Sequence, residues 1–214
     1  MKKTTALIGM LVVSVALFGQ THNMKSGKHS EAEELRTNMR KLWEDHVTWT
    51  RNVIFCIIDD LPGTEPTLNR LLKNQDDIGN AIKPVYGEAA GAQLSSLLRT
   101  HITQSGDLLK ALKKDDNDGV EQMKKKWFEN ADEISAFLNK ANPDNWKLAE
   151  MKKMMNDHLT LTIDEAVARK KKDYAADVAA YDKVHNEILE MADMLTDGIL
   201  KQYPNKFDMA KKTK

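Results

Sequence analysis

Residues 30–63 read SEAEELRTNMRKLWEDHVTWTRNVIFCIIDDLPG, and this stretch predicts one long amphipathic helix. Ser30 followed by Glu33 is a capping box, in which the two side chains satisfy backbone N–H groups of the first turn. The residues that fall on one face of the helix are Leu35, Met39, Leu42, His46, Val53, Ile57 and Leu61. Pro62 and Gly63 then end the helix, because proline lacks the backbone N–H that a helix needs and glycine has a low helix propensity.

The same spacing predicts further helices along the chain. They are expected at residues 64–83, 88–114, from the loop 115–119 to about 140, from Asn142-Pro143 to about 170, and from 173 to just before Pro204. No stretch longer than a few residues alternates with the period of two that a β-strand would show. The sequence therefore predicts an all-α fold over residues 30–203, an antiparallel bundle of four long helices plus one or two shorter ones.

The N-terminus has the pattern of a secretory signal. Two lysines precede an apolar run from about Ala6 to Phe18, which is too short for a comfortable membrane span. We expect residues 1–20 to be a signal peptide or a short uncleaved anchor, 21–29 a linker and 204–214 a basic tail. The protein is then extracytoplasmic, and a membrane contact would come only from an uncleaved N-terminal segment. Cys56 is the one cysteine, so no intrachain disulfide can form.

Charge balance argues against one class of partner. The chain has 32 basic and 32 acidic residues and a formal net charge of zero, whereas nucleic-acid binding needs a basic face that displaces counterions. The acidic stretch DDNDG (115–119) lacks the ligands of a calcium loop at its outer positions, which are lysines. No phosphate-binding glycine loop and no G-x-S-x-G motif occurs. The sequence thus indicates no nucleic-acid partner and no catalytic motif.

A short motif recurs with a histidine in it. It reads DHVTWT at 45–50 and DHLTLT at 157–162, with a looser copy THITQS at 100–105. The helical spacing places four histidines on inward stripes, one to a helix: His46, His101, His158 and His185. The repeat suggests a duplicated helical hairpin in which His101 and His185 would be the partners of His46 and His158.

Polar residues accompany these histidines at one-turn spacing. Three hydroxyls stand four positions after a histidine, where residues share a helix face; these are Thr50, Ser105 and Thr162. Asp182 precedes His185 by one turn, and Glu165 lies two turns beyond His158 on the same stripe. A buried polar group without a partner costs roughly 1–3 kcal/mol, so we expect every inward imidazole to be satisfied by a neighbour, by water or by a metal.

Three hypotheses follow from this pattern. Imidazoles from facing helices can converge on one transition metal, Zn, Cu or Fe, with Glu165 and Asp182 as additional ligands and the three hydroxyls as outer support. Storage, sensing or scavenging would then be the role. The first alternative is a non-enzymatic structural or interaction module with hydrogen-bonded core histidines and no metal. The second is a ferritin-like metal oxidase, which would need more inward carboxylates than the sequence offers.

Four segments together resemble a family of small exported bacterial helical-bundle proteins without an established function. They are WEDHVTWTR (43–51), QDDIGNAIKPVYG (75–87), DHLTLTIDEAVAR (157–169) and MADMLTDGILKQYPNKF (191–207). The resemblance spans nearly all of the chain after the signal and implies export and a helical fold. Members carry the labels glycosyltransferase or acetylglutamate kinase, and no motif in this sequence supports either chemistry.

Overall fold

The computed structural model describes residues 30–207, and these residues are almost entirely helical. The helices are α1 (Glu31–Ile58), α2 (Thr64–Tyr86), α3 (Glu88–Lys113), α4 (Asn117–Ala141), α5 (Leu148–Lys170), α6 (Tyr174–Gln202) and α7 (Pro204–Phe207). The predicted all-α bundle is confirmed. Six helices have 23 to 29 residues and α7 has four, so six are long where four were expected. The predicted signal (1–20), the linker (21–29) and the tail beyond Phe207 lie outside the described residues.

Helix starts are fixed by side chains that the sequence places there. The capping box of α1 is present, with the Glu33 N–H donating to Ser30 Oγ at 3.1 Å and the Ser30 N–H donating to Glu33 Oε2 at 2.8 Å. Asp116 and Asp173 accept from backbone N–H groups in the first turns of α4 and α6. These caps satisfy donors that have no partner inside the helix.

The start of α5 differs from the prediction. Asn142-Pro143 was expected to begin it, yet the helix starts at Leu148. The Asn142 amide instead donates to the carbonyl of Gly198 at 2.9 Å, and Trp146 is 2% exposed against that same glycine. The residues between α4 and α5 are therefore held as a tight connection by α6, a tertiary contact that the local sequence does not reveal.

The six long helices form three hairpins, α1–α2, α3–α4 and α5–α6, arranged in a closed ring. Each helix packs against its neighbours in the chain, and α6 packs back against α1. In addition, α1, α3 and α5 contact one another across the middle. Because neighbouring helices are antiparallel, these three inner helices run in the same direction, and their facing sides meet at the centre of the bundle.

The three hairpins turn in the same way. A non-glycine residue with a left-handed backbone lies in each turn, at Asp60 (φ 55°), Asp115 (φ 58°) and Lys172 (φ 60°). Each of them follows the motif histidine of its hairpin by 14 positions. Equal spacing in all three indicates that the chain contains three copies of one helical hairpin.

Close contact between the hairpins depends on small residues. A Cβ built on Gly79 of α2 would lie 2.5 Å from the carbonyl oxygen of Gly91 on α3, and the converse distance is 2.6 Å. The two backbones can approach this closely only because neither residue has a side chain. No helix within residues 30–207 combines the length and the apolar character that a membrane crossing requires.

Candidate functional site

Three of the four candidate histidines meet at the centre of the bundle. His46, His101 and His158 lie on α1, α3 and α5, and each is 2–3% exposed. The ring centroids of His46 and His158 are 5.8 Å apart. Both His158 and His101 affect the electrostatic environment of His46. We refer to these three side chains as the histidine layer.

Each ring of the histidine layer is held through Nδ1 by a polar side chain on the second helix of its own hairpin. The distances are 3.2 Å from His46 to Gln75 Nε2, 3.0 Å from His101 to Asn130 Oδ1 and 2.9 Å from His158 to Glu187 Oε2. All three pairs are 29 positions apart. Within the described part of the chain, Nδ1 is the one ring nitrogen of each that has a hydrogen-bond partner.

Burial keeps two of the rings neutral. Desolvation, followed by the nearby His158, lowers the pKa of His101 to about 3. The pKa of His46 is also well below its usual value, first because of burial and then because of His158 and His101. At neutral pH both imidazoles are uncharged, and a neutral imidazole has a nitrogen lone pair that can accept a hydrogen bond or bind a metal.

Two tryptophans cover the histidine layer. The Trp43 ring lies 5.7 Å from that of His46, and the Trp127 ring lies 5.0 Å from that of His101. Four polar atoms of this region are buried with no hydrogen-bond partner in residues 30–207, namely Trp43 Nε1, Trp127 Nε1, Gln75 Oε1 and Glu187 Oε1. Buried polar groups without a hydrogen-bond partner are uncommon in folded proteins. Four of them in one region make the centre of the bundle the candidate functional site.

The motif hydroxyls do not bind the imidazoles as expected. Thr50 and Thr162 donate to the backbone carbonyls of His46 and His158, at 2.8 and 2.9 Å, and Ser105 donates to that of Ile102 at 2.8 Å. The prediction failed because a Ser or Thr hydroxyl inside a helix can donate to the backbone carbonyl three or four residues earlier, and each of these three hydroxyls does so. The three hydroxyl residues do come together, since all line one cavity of about 10 Å³.

His185 and Asp182 lie outside the histidine layer, and the prediction that they point inward is wrong. The buried stripe of α6 follows Val184, Ile188 and Met191, about 100° away from His185 around the helix. The His185 side chain is 31% exposed, with Nε2 3.2 Å from Glu44 Oε1. Asp182 is exposed to solvent.

Glu165 is buried as expected, but its carboxylate forms an ion pair with Arg51. Arg51 Nη1 lies 2.5 Å from Glu165 Oε1 and 2.8 Å from Asp177 Oδ1. Burial raises the pKa of Glu165 to about 7 even though Arg51 acts in the opposite direction. Glu165 lies two turns along α5 from His158, so it belongs to a separate buried ion-pair cluster, which continues through Arg169 to Asp59.

Sequence reasoning missed the residues that position the rings. Gln75, Asn130 and Glu187 stand at the same offset from the three motif histidines. A search for polar residues at a constant distance from each copy of the motif would have found them. The search would also have favoured three copies over the predicted pair, and it would have excluded His185, which has no motif around it.

The side chains are not arranged as a ready-made metal centre. Across residues 30–207, no group of three or more His, Cys, Asp or Glu side chains is placed to hold a metal ion. The histidine layer is therefore a set of clustered imidazoles, each with a hydrogen-bond partner at Nδ1.

Comparisons with known proteins give no further guide to function. No protein-family model, no curated protein and no solved structure matches the chain. What the fold defines is a class of architecture, an all-α bundle of three similar hairpins around a central polar layer.

Proposed function

We propose that this protein is an exported helical bundle that binds one transition-metal ion through His46, His101 and His158, for storage, sensing or scavenging. The proposal keeps three of the four histidine ligands expected from the sequence. It leaves out His185, Asp182 and Glu165, because the first two face solvent and the third pairs with Arg51.

One observation carries the proposal: three buried imidazoles from three different helices share one layer. Imidazole is the commonest side-chain ligand of transition metals, and it binds in its neutral form. Burial supplies that form for His46 and His101 at neutral pH. Three imidazoles suit Zn, Cu or Fe, with the fourth position open to an exogenous ligand.

The hydrogen bonds at Nδ1 add support. Metal-binding histidines nearly always use the second ring nitrogen to contact a carboxylate, a carbonyl or water, which fixes the ring orientation. Asn130 Oδ1 and Glu187 Oε2 have this relationship to His101 and His158. Metal binding requires the three rings to turn toward a common point, because no three His, Cys, Asp or Glu side chains of residues 30–207 are placed to hold an ion.

A structural module without metal is the second candidate. It is favoured by the same lack of a preformed group of ligands in the described residues and by the partner that each ring already has. In this reading, the three cross-helix hydrogen bonds fix the pairing of α1 with α2, α3 with α4 and α5 with α6. The two candidates differ in what happens when metal is supplied.

Metal analysis of the full chain, purified without a histidine tag, separates them. We expect about one equivalent of Zn²⁺ or Cu²⁺ after loading and dialysis. The melting temperature should rise, since a ligand that binds only the folded state stabilises it. His158→Gln should weaken both effects, while His185→Gln, the matched change at the exposed histidine, should leave both intact. A folded wild type that retains no metal would favour the structural module.

Export rests on residues 1–20 alone, which lie outside the described residues. The proposed signal predicts that the protein made in a bacterial host is recovered from the cell envelope or medium. N-terminal sequencing should then show removal of the segment near Gly19. A protein recovered intact with the membranes would indicate the uncleaved anchor, and recovery from the cytoplasm would contradict export.

A further inference from the structure

The amide of Gln75 has one orientation, and that orientation decides the chemistry of His46. Gln75 Nε2 lies 2.8 Å from the carbonyl oxygen of Leu71 and 3.2 Å from Asn74 Oδ1. Oxygen atoms of this kind only accept, so the atom that faces them must be the NH₂ group. The same nitrogen lies 3.2 Å from His46 Nδ1. The two hydrogens of this NH₂ group are shared among the three neighbours, and an NH₂ group cannot accept from a ring N–H. His46 Nδ1 is therefore unprotonated, and the neutral ring has its proton on Nε2.

The other two rings have the opposite tautomer. His101 Nδ1 faces Asn130 Oδ1, an orientation fixed because Asn130 Nδ2 donates to the Leu97 carbonyl at 3.3 Å. His158 Nδ1 faces a carboxylate oxygen of Glu187. Both Nδ1 atoms must donate, so both carry a proton. The histidine layer thus combines one ring whose proton lies on Nε2 with two rings that are protonated at Nδ1.

We propose that Gln75 is a positioning residue that limits metal affinity by holding His46 in the tautomer that cannot bind through Nε2. This inference rests on the proposed function. For His46 to become a ligand, the proton on Nε2 must leave to water and another must bind at Nδ1, so the ring stays neutral. Gln75 must then turn Oε1 toward Nδ1–H, and this oxygen is buried with no partner elsewhere in residues 30–207.

Rotation of the Gln75 amide costs free energy, and this cost lowers the affinity of the site for metal. Turning the amide removes its hydrogen bonds to Leu71 and Asn74 and places Oε1 against the two oxygens. A carboxylate at position 75 can only accept a hydrogen bond, so it would favour the tautomer of His46 that has its proton on Nδ1. Changes in the partners of metal-bound histidines typically alter affinity 10- to 100-fold, roughly. Gln75→Glu should therefore bind Zn²⁺ at least about tenfold more tightly than the wild type.

The matched control is Asn130→Asp, which makes the same amide-to-carboxylate change in the second hairpin. His101 already donates from Nδ1, so this change leaves its tautomer unaltered and should raise affinity less. Zn²⁺ affinity of the full chain would be measured by competition with a chelator. If Gln75→Glu binds no more tightly than Asn130→Asp while the wild type binds metal, the inference is overturned and the proposed function stands. If only Gln75→Glu binds, both are supported. If no variant binds, the proposed function fails.

A second measurement does not depend on metal or on the folding of a variant. Long-range ¹H–¹⁵N spectra of the metal-free wild type distinguish protonated from unprotonated ring nitrogens. We expect His46 to be protonated at Nε2, and His101 and His158 at Nδ1. A His46 that is protonated at Nδ1 would overturn the inference directly.

Discussion

His158 Nδ1 on α5 lies 2.9 Å from Glu187 Oε2 on α6. The same contact recurs in the other two hairpins with the same separation along the chain. In each case, a buried imidazole on an inner helix is held by a polar side chain on an outer helix. The repeated unit of this protein is therefore a hairpin with a central histidine and a partner for it.

The first prediction concerns this contact. Glu187→Ala should lower the free energy of unfolding by about 2 kcal/mol, because His158 Nδ1 would remain buried without a partner. Glu190→Ala, at an exposed position of the same helix, should change it by less than about 0.5 kcal/mol. Urea unfolding followed by circular dichroism measures both. Equal effects of the two changes would show that the contact adds nothing to stability.

The second prediction concerns acid. The pKa of His101 falls from 6.5 to about 3 on folding. Between these pH values, His101 is protonated in the unfolded chain and unprotonated in the folded protein. The contribution of neutral His101 to the free energy of unfolding is complete above pH 6.5, and it is lost as the pH falls from there toward 3. The limiting slope is about 1.4 kcal/mol per pH unit for each such ring.

Variants isolate this contribution from that of other groups. Between pH 6.5 and 5, the stability of His101→Gln should fall less steeply than that of the wild type. Urea unfolding at a series of pH values gives the slopes. The same slope in the wild type and His101→Gln would mean that His101 is protonated in the folded protein.

The third prediction concerns Glu165, whose contribution to stability changes with pH in the opposite direction. Its pKa rises from 4.5 to about 7 on folding, so the folded protein binds the proton more tightly. Ionisation of Glu165 is therefore unfavourable to the fold, and this cost grows between pH 4.5 and 7. Relative to the wild type, Glu165→Gln should gain about 3 kcal/mol in stability between pH 5 and 8. A stability difference between Glu165→Gln and the wild type that stays constant with pH would refute the assignment.

The fourth prediction compares two helical glycines. A Cβ on Gly79 would meet Ser95 Oγ at 2.0 Å and Gly91 O at 2.5 Å, whereas a Cβ on Gly106 has no such neighbour within 4 Å. Gly79→Ala should lower the free energy of unfolding by about 1–3 kcal/mol, the usual effect of overpacking. Gly106→Ala should raise it by about 1 kcal/mol, because alanine favours a helix more than glycine does. Thermal unfolding would show shifts of opposite sign, and shifts of the same sign would contradict the close approach of α2 and α3.

The helical fold could be predicted because its signals are local. The capping box at Ser30, the turn at Pro62-Gly63 and the spacing of apolar residues determine where helices begin, end and bury a face. The start of α5 could not be predicted, since the contacts of Asn142 and Trp146 with Gly198 depend on a residue about 50 positions away. Local pattern places a helix, while long-range packing determines where it begins and ends.

The histidine layer was predictable in part, because the spacing and the motif that indicate it are also local signals. His46, His101 and His158 were expected inside, and a repeated motif surrounds each of them. His185 was expected on an inward stripe with Val178, Tyr181, Ile188 and Ala192. Ile188 and Ala192 are buried, but Val178 is 53% exposed and the buried face of α6 is centred about 100° away from His185. Spacing alone cannot tell which of two adjacent faces turns inward when both contain apolar residues.

The central claim is that His46, His101 and His158 bind one metal ion together. X-ray absorption at the zinc edge of the zinc-loaded full chain tests it most directly, because imidazole ligands give a characteristic scattering pattern. We predict three imidazole nitrogens at about 2.0 Å, falling to two in His101→Gln. A zinc ion that lacks imidazole ligands, or a coordination shell that His101→Gln leaves unchanged, would contradict the claim.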